Sequence, residues 1–374
     1  MEVGMSNAPR NTLRSFLLAI AMLFLAGPLM AQIQTSPLAG QHETAVIIAQ
    51  TSSGGSNTYL IDPLSKKVIG IIEGLGLPHG ITVNPEGSKY YVTNEHDISV
   101  DVVDARSLKV IKRIPLAARP NNIASSSSAR KVYAAIAGAP MVQVIDMDTD
   151  EVIKSIATVG GVHNTFATPD GRYIAAGMVG ARTLSIIDTS TDEIAWSLGP
   201  EVMKEGVRPM GFETNADGST KRIFVNLSSL EGFVVVDFEK REVVEKIVAP
   251  RAPLVKYNLI GVRNSLAHGI EVLADQSAVW VVSRVSGRVV GWTLPDLEWI
   301  GDVDVGVSSW LTSTPDSRYL YVATTGRDET AVIDLETLTV VDRIKVGDSP
   351  KRMRTFHVPA DVIQMTKRVG GGSP

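Results

Sequence analysis

The chain contains no cysteine. It therefore has no disulfide, no lipid-anchor cysteine, no C-x-x-C-H attachment for a c-type haem and no thiolate for a copper electron-transfer centre. It has little excess charge. Lys and Arg total 36 against 40 Asp and Glu, the formal net charge is −4 and the pI is about 5.9. Nothing there forms the electrostatic footprint of a nucleic-acid-binding protein. Outside the N-terminal region no apolar run approaches the roughly 20 residues of a membrane span. No G-x-S-x-G nucleophile elbow and no phosphate-binding glycine loop is present.

The N-terminus has the pattern of a secretory signal. Arg10 and Arg14 precede the apolar run Ser15–Gly27, and Ala31 offers a small residue for cleavage before Gln32. The expected organisation is a signal peptide over 1–31, a flexible linker over 32–44, a folded body over 45–360 and a tail over 361–374. The expected location is periplasmic or secreted, with no transmembrane segment after signal removal. A retained N-terminal anchor is the alternative.

The folded body is repetitive. Seven strands end in Asp, once in Thr, and the next strand starts four to six residues later: Asp62, Asp104, Asp146, Asp188, Asp237, Thr293 and Asp334. Their spacings are 42, 42, 42, 49, 56 and 41 residues. Such a period marks stacked copies of one unit. Each copy reads as four short strands, A to D, separated by Gly, Pro, Asn or Asp turns, which is the blade of a β-propeller. In the clearest copy, Ile81–Val83 is A, Lys89–Thr93 is B, Ser99–Asp104 is C and Val110–Ile114 is D.

The ends explain closure. The body begins with B, C and D alone, at Ala45–Ala49, Asn57–Ile61 and Lys67–Ile72. It finishes with an A-like strand, Met353–Val358. Pairing the last strand with the first three completes a seventh blade and removes both exposed edges. The expected fold is all-β, a seven-bladed propeller of four-stranded antiparallel blades.

Tyr91-Val92-Thr93-Asn94, followed by strand C and its Asp turn, resembles the signature of the YVTN-repeat β-propellers. Degenerate copies stand at Tyr321-Val322-Ala323-Thr324 and Phe224-Val225-Asn226. The resemblance covers about residues 45–358. It implies an exported seven-bladed propeller, similar to the propeller domains of cytochrome cd1 nitrite reductase and nitrous oxide reductase. Those relatives place histidines near the propeller axis for haem d1 or copper.

The seven turn Asp and Thr residues recur too regularly to be catalytic. They are expected to cap tight turns by accepting backbone N–H bonds. Asp146-Met147-Asp148-Thr149-Asp150 superficially resembles a calcium loop, but it lacks Gly at the sixth position and Glu at the twelfth. Asn226-Leu227-Ser228 fits a glycosylation sequon.

Function is expected where the copies differ. The D–A and B–C connections share one face, and the A strands line the channel. At the strand A starts, the sequence places His79, Asn121, His163, Met210, His268, Trp310 and Lys351 at equivalent positions. His79, His163 and His268 fall on alternate blades, about 103° apart with a final gap of about 154°. Three converging imidazoles would make a metal site for copper, zinc or iron, or would flank a haem. The alternative is that each bonds locally at a close-packed turn. His96, Arg284 and Arg327 are rim candidates on the B–C turns. The long connection Val248–Leu266, with Arg251, Lys256, Tyr257 and Arg263, is expected to lie on the same face. These cations favour a small anionic ligand. The leading expectation is an exported binding protein or scaffold for a small ligand, metal or protein partner. The rivals are a metal- or haem-dependent lyase, hydrolase or oxidoreductase, and a purely structural interaction protein.

Overall fold

A computed structural model describes residues 44–252 and 265–370. The signal peptide, all but the last residue of the linker, most of the long connection and residues 371–374 lie outside the described residues. Seven separate four-stranded antiparallel sheets are present, six of them consecutive A-B-C-D meanders. The blade with the Tyr-Val-Thr-Asn segment is blade 1, built from Pro78–Val83, Lys89–Asn94, Ser99–Asp104 and Val110–Pro115. Blades 2 to 6 follow in chain order.

Blade 7 is the composite one. Its A strand is the C-terminal Pro350–Pro359, hydrogen-bonded to the N-terminal strand Thr44–Ser52. Ala45 pairs with Val358 and Gln50 with Met353, as the chain ends predict. The strands of successive blades also pack face to face. Seven apolar clusters result, one at each junction between neighbouring blades. The cluster of Ile48, Ile61, Tyr321 and Val332 joins blade 6 to blade 7, and that of Leu60, Ile72, Ile81 and Tyr90 joins blade 7 to blade 1. The ring has no open sheet face at any junction.

The turn residues behave as expected. Asp62, Asp104, Asp146, Asp188, Asp237, Thr293 and Asp334 each accept a backbone N–H from within their own C–D turn. The turn ends on a residue with positive φ, such as Lys66, Asp150, Asp192 or Leu338. Every D strand then enters through a bulge in its pairing with C. Bulges twist the outer strand and blunt it against edge-to-edge association.

Three of the four residues of the Tyr-Val-Thr-Asn segment have separate tasks. The Tyr91 hydroxyl donates to Asp150 of blade 2 at 2.6 Å, and Lys89 donates to the same carboxylate at 2.7 Å. Blade 2 repeats this latch onto blade 3, through Tyr133, Lys131 and Asp192. Thr93 donates to the backbone carbonyl of Asn121 at 2.6 Å, which fixes the start of the next A strand. Asn94 receives the Asp97 N–H and donates to Asp101, closing the B–C turn.

Among the described residues two helices stand outside the expected strands, one of them the single turn Pro200–Met203 between blades 3 and 4. Ala360–Gly370 is an α-helix where a tail was expected. It seats Val362 and Ile363 among Ile69, Ile72 and Leu108 at the junction of blades 7 and 1. Among the described residues no helix is long and apolar enough to cross a membrane.

Candidate functional site

Strand pairing settles which residues are equivalent at the D–A mouth. Pro78 pairs with Asn94 and Ile81 with Val92. The same offsets recur for Pro120 and Ile123, for Val207 and Met210, and for Ala267 and Ile270. The residue after each of the first partners is therefore His79, Asn121, Arg208 and His268. In blades 3 and 6, the His163 and Ser309 N–H groups donate to the carbonyls of Gly177 and Ala323. Asn164 and Trp310 then pair with those two residues. In blade 7, Pro350 pairs with Ser52, which places Lys351 in the ring. The ring is His79, Asn121, His163, Arg208, His268, Ser309 and Lys351.

Two expected members are thereby corrected. Met210 is not at the mouth but two residues deeper, buried against blade 3. Its place is taken by Arg208. Trp310 lies one residue deeper, and Ser309 takes its place. The slips arise because blade 4 carries a register shift between Glu213 and Thr214 in its A–B hairpin, so counting back from that turn fails. In blade 6 the Trp drew the alignment toward itself.

The next layer inward contains Asn122, Asn164, Trp310 and Arg352. Arg352 is 2% exposed. Its Nη2 donates to Asn121 Oδ1 at 2.7 Å and to Asn164 Oδ1 at 3.0 Å. Its guanidinium lies 4.4 Å from the centroid of the Trp310 ring. Nε and Nη1 are buried and find no partner among the described residues. Gly269 permits this closeness, since a Cβ there would stand 2.7 Å from the Trp310 Cα.

Around this arginine cations outnumber carboxylates. Burial, then repulsion from Arg208, lowers Arg352 to about 9 against the pull of Glu95. Burial together with Arg352 and Arg284 lowers Lys351 to about 8. Burial and Arg284 lower Arg208 to about 10. Burial lowers Arg284 as well. All four remain cationic at neutral pH. The nearby carboxylate is Glu95, from the B–C turn of blade 1. Burial pushes it up, but His79 and Arg119 outweigh that and hold it below its usual value.

The three histidines are neutral. Burial, reinforced by Arg352, lowers His79 to about 3. The same two causes hold His163 and His268 well below the ordinary imidazole value. His163 also feels His79, and His268 feels His163, so the three do share one central neighbourhood. Their tautomers differ. His79 Nδ1 donates to Glu95, and His268 Nδ1 donates to the Ser309 carbonyl at 2.8 Å. His163 Nδ1 instead accepts from Asn164 Nδ2 at 2.8 Å, because Asn164 Oδ1 is committed to Arg352. A neutral His163 therefore carries its proton on Nε2, while His79 and His268 keep lone pairs there.

Among the described residues no group of three His, Cys, Asp or Glu is arranged to hold a metal ion. Two reasons are visible: one histidine presents a proton, and a guanidinium occupies the central position. Of the rim candidates, Arg284 joins the cluster. Arg327 and His96 are exposed, and the His96 ring bonds its neighbour Asp97 at 2.8 Å. The sequence shows Arg208 as a cation before an A strand on this face and Arg352 at the start of the last one, but does not assign either to the ring or its centre. A signal existed in the repeat, since Arg208 follows Val207 as His79 follows Pro78.

The fold and this ring define a class: a closed seven-bladed propeller with a cationic cup at its D–A mouth. The model of the YNCE-like β-propeller family matches residues 32–263, and the chain belongs to that family. No curated protein matches the chain. Among solved structures it is similar to Kuenenia stuttgartiensis hydrazine synthase, with TM-score 0.62 and 19% identity over 75% of this chain and 90% of that one. It is also similar to the dihydro-heme d1 dehydrogenase NirN in complex with DHE, with TM-score 0.61 and 14% identity over 85% of this chain and 76% of that one. At such identities the likeness is one of fold.

Proposed function

We propose that the chain is an exported binding protein that captures a small polyanion, carrying two or more carboxylate or phosphate groups, at the D–A mouth. One observation carries this reading: among the described residues, Arg352 is buried with two guanidinium nitrogens unpartnered, beside three further cations and one carboxylate, Glu95. Burying like charges together costs free energy, and an anion offsets that cost by supplying charge-assisted hydrogen bonds. Neutral His163 offers a further Nε2 donor. The secretory pattern of residues 1–31 supports export.

Thermal denaturation with citrate, pyrophosphate or phosphate, against chloride at equal ionic strength, tests this. Saturable stabilisation is expected, about 2.7 kcal/mol at a hundredfold excess over Kd. Arg352→Met should weaken binding at least tenfold. Equal melting in all four anions refutes the reading.

A second reading has its own support. Free Nε2 lone pairs on His79 and His268, beside cations suited to propionates, fit an iron tetrapyrrole, and the similar NirN is described as a dihydro-heme d1 dehydrogenase. Such a group would supply redox chemistry, while this chain's residues would bind and orient it. A Soret shift on haem titration, lost in His79→Ala or His268→Ala, would favour it. An unchanged spectrum excludes it.

A further inference from the structure

The channel continues past Arg352 toward the opposite, A–B mouth. There it widens into a cavity of about 280 Å³. The stacked Trp310 and Phe166, 6.2 Å apart with a 9° interplanar angle, contribute to its lining beside Arg352. Ile81, Ile270 and Phe212 contribute apolar wall.

Besides Arg352, two charged side chains of opposite sign face this space, Glu271 from blade 5 and Arg354 from blade 7. They interact electrostatically, yet no ion pair within 4.0 Å joins them among the described residues. Glu271 uses one oxygen, Oε1, which accepts from the Ser313 N–H at 3.3 Å, the Ser313 hydroxyl at 3.2 Å and the Thr312 hydroxyl at 3.5 Å. Oε2 accepts nothing, and the Arg354 guanidinium donates to nothing, among the described residues. Thr312 and Thr355 hydroxyls, 2.9 Å apart, line the same cavity. Groups with unmet hydrogen-bonding capacity around an apolar hollow are the usual make-up of a small-molecule site.

We propose that this cavity is a second binding site, for a small zwitterion with an apolar body, of the class of an apolar α-amino acid. Arg354 pairs with the carboxylate, Glu271 Oε2 receives the ammonium, and the apolar wall takes the side chain. The gap that keeps Glu271 and Arg354 from each other is the space such a dipole fills. Burial pushes the Glu271 carboxyl up to about 7 despite Ser313 and Arg354, so an ammonium beside it stabilises its ionised form. Arg352 and Trp310 border both spaces, but Glu271 and Arg354 stand outside the cationic ring, and the proposal does not depend on that ring's function.

Isothermal titration of the full-length protein with L-phenylalanine and L-leucine at pH 7.5 tests this. N-acetyl-L-phenylalanine, which lacks the ammonium, and L-phenylalaninamide, which lacks the carboxylate, are titrated in parallel. Saturable binding of both free amino acids is expected, weakened at least tenfold by either block. Glu271→Gln and Arg354→Met should each weaken L-phenylalanine binding at least tenfold. If either variant fails to fold, the blocked ligands decide on the unaltered protein. No binding of either amino acid, equal binding of the blocked forms, or undiminished binding to both folded variants overturns the proposal.

Discussion

Lys351 and Arg352 are two of 36 basic residues, and nothing in their neighbours in sequence sets them apart. Closure of the ring does. It brings them against Arg208 and Arg284 and against three imidazoles, so each excludes protons from the others. The linkage has a definite sign. His79 binds its proton near 3 in the fold but near 6.5 when unfolded. Between those values the unfolded chain binds more protons, so stability is full above about 6.5 and falls as the pH drops toward 3. His79 contributes up to about 1.4 kcal/mol per pH unit in that window, and His163 and His268, also held well below the ordinary imidazole value, add with the same sign as the pH falls below about 6.5. Urea unfolding at pH 7.5, 6.5 and 5.5 should show the decline, and His268→Gln should make it shallower. A flat profile would mean that the imidazoles are solvated. Lys351 has the same sign at higher pH: the native state binds fewer protons between about 8 and 10.5. At neutral pH it therefore destabilises the free protein. Lys351→Met should be more stable by about 1–2 kcal/mol, after allowance for its partial exposure, while binding anions less well. Histidines on a shared repeat position are legible in a sequence because three copies agree. Arg208 was not, since it is aligned by strand pairing across a bulged hairpin. Arg354 and Glu271 were not either, because each is a single charge in an ordinary A strand and only the ring brings them face to face.

Among the elements, the C–D turns were the most legible, because one physical requirement recurs seven times. A carboxylate or hydroxyl must take the backbone N–H groups of a tight turn, and Asp or Thr does so in every copy. The use of Asp150 and Asp192 was not legible. They look like further acidic residues in an acidic turn, yet each receives a Tyr and a Lys from the preceding blade while holding φ near +54°. Asp tolerates that backbone better than most residues. Asp150→Ala removes two charge-assisted bonds and strains the turn, and should cost about 2–4 kcal/mol in urea unfolding. Asp150→Asn should cost less, because it keeps an acceptor and the backbone conformation. Equal losses for both would mean that the charge matters and the geometry does not. The C-terminal helix escaped notice for a different reason. Among its described side chains Val362, Ile363 and Thr366 are buried, too short an apolar stripe to stand out by periodicity.

For the whole molecule, blade count and closure followed from one piece of counting, a missing A strand at the start and a surplus one at the end. Removing residues 351–374 should abolish cooperative melting, because it opens two sheet edges at once. Removing only 360–374 should leave a cooperative ring that melts lower. If the first truncation still melted cooperatively, the remaining blades would have to close without blade 7.

The strand that completes blade 7 also carries Lys351, Arg352 and Arg354. The first N-terminal strand to emerge from synthesis must wait for nearly the last, the slowest kind of contact for a chain to make. Until that contact forms, the central arginine is absent and neither mouth has its full set of charges. A chain arrested short of closure is therefore blind to both ligands. An anion that binds the finished cup holds the two ends of the chain together, and so acts as a clasp on the ring as well as its cargo.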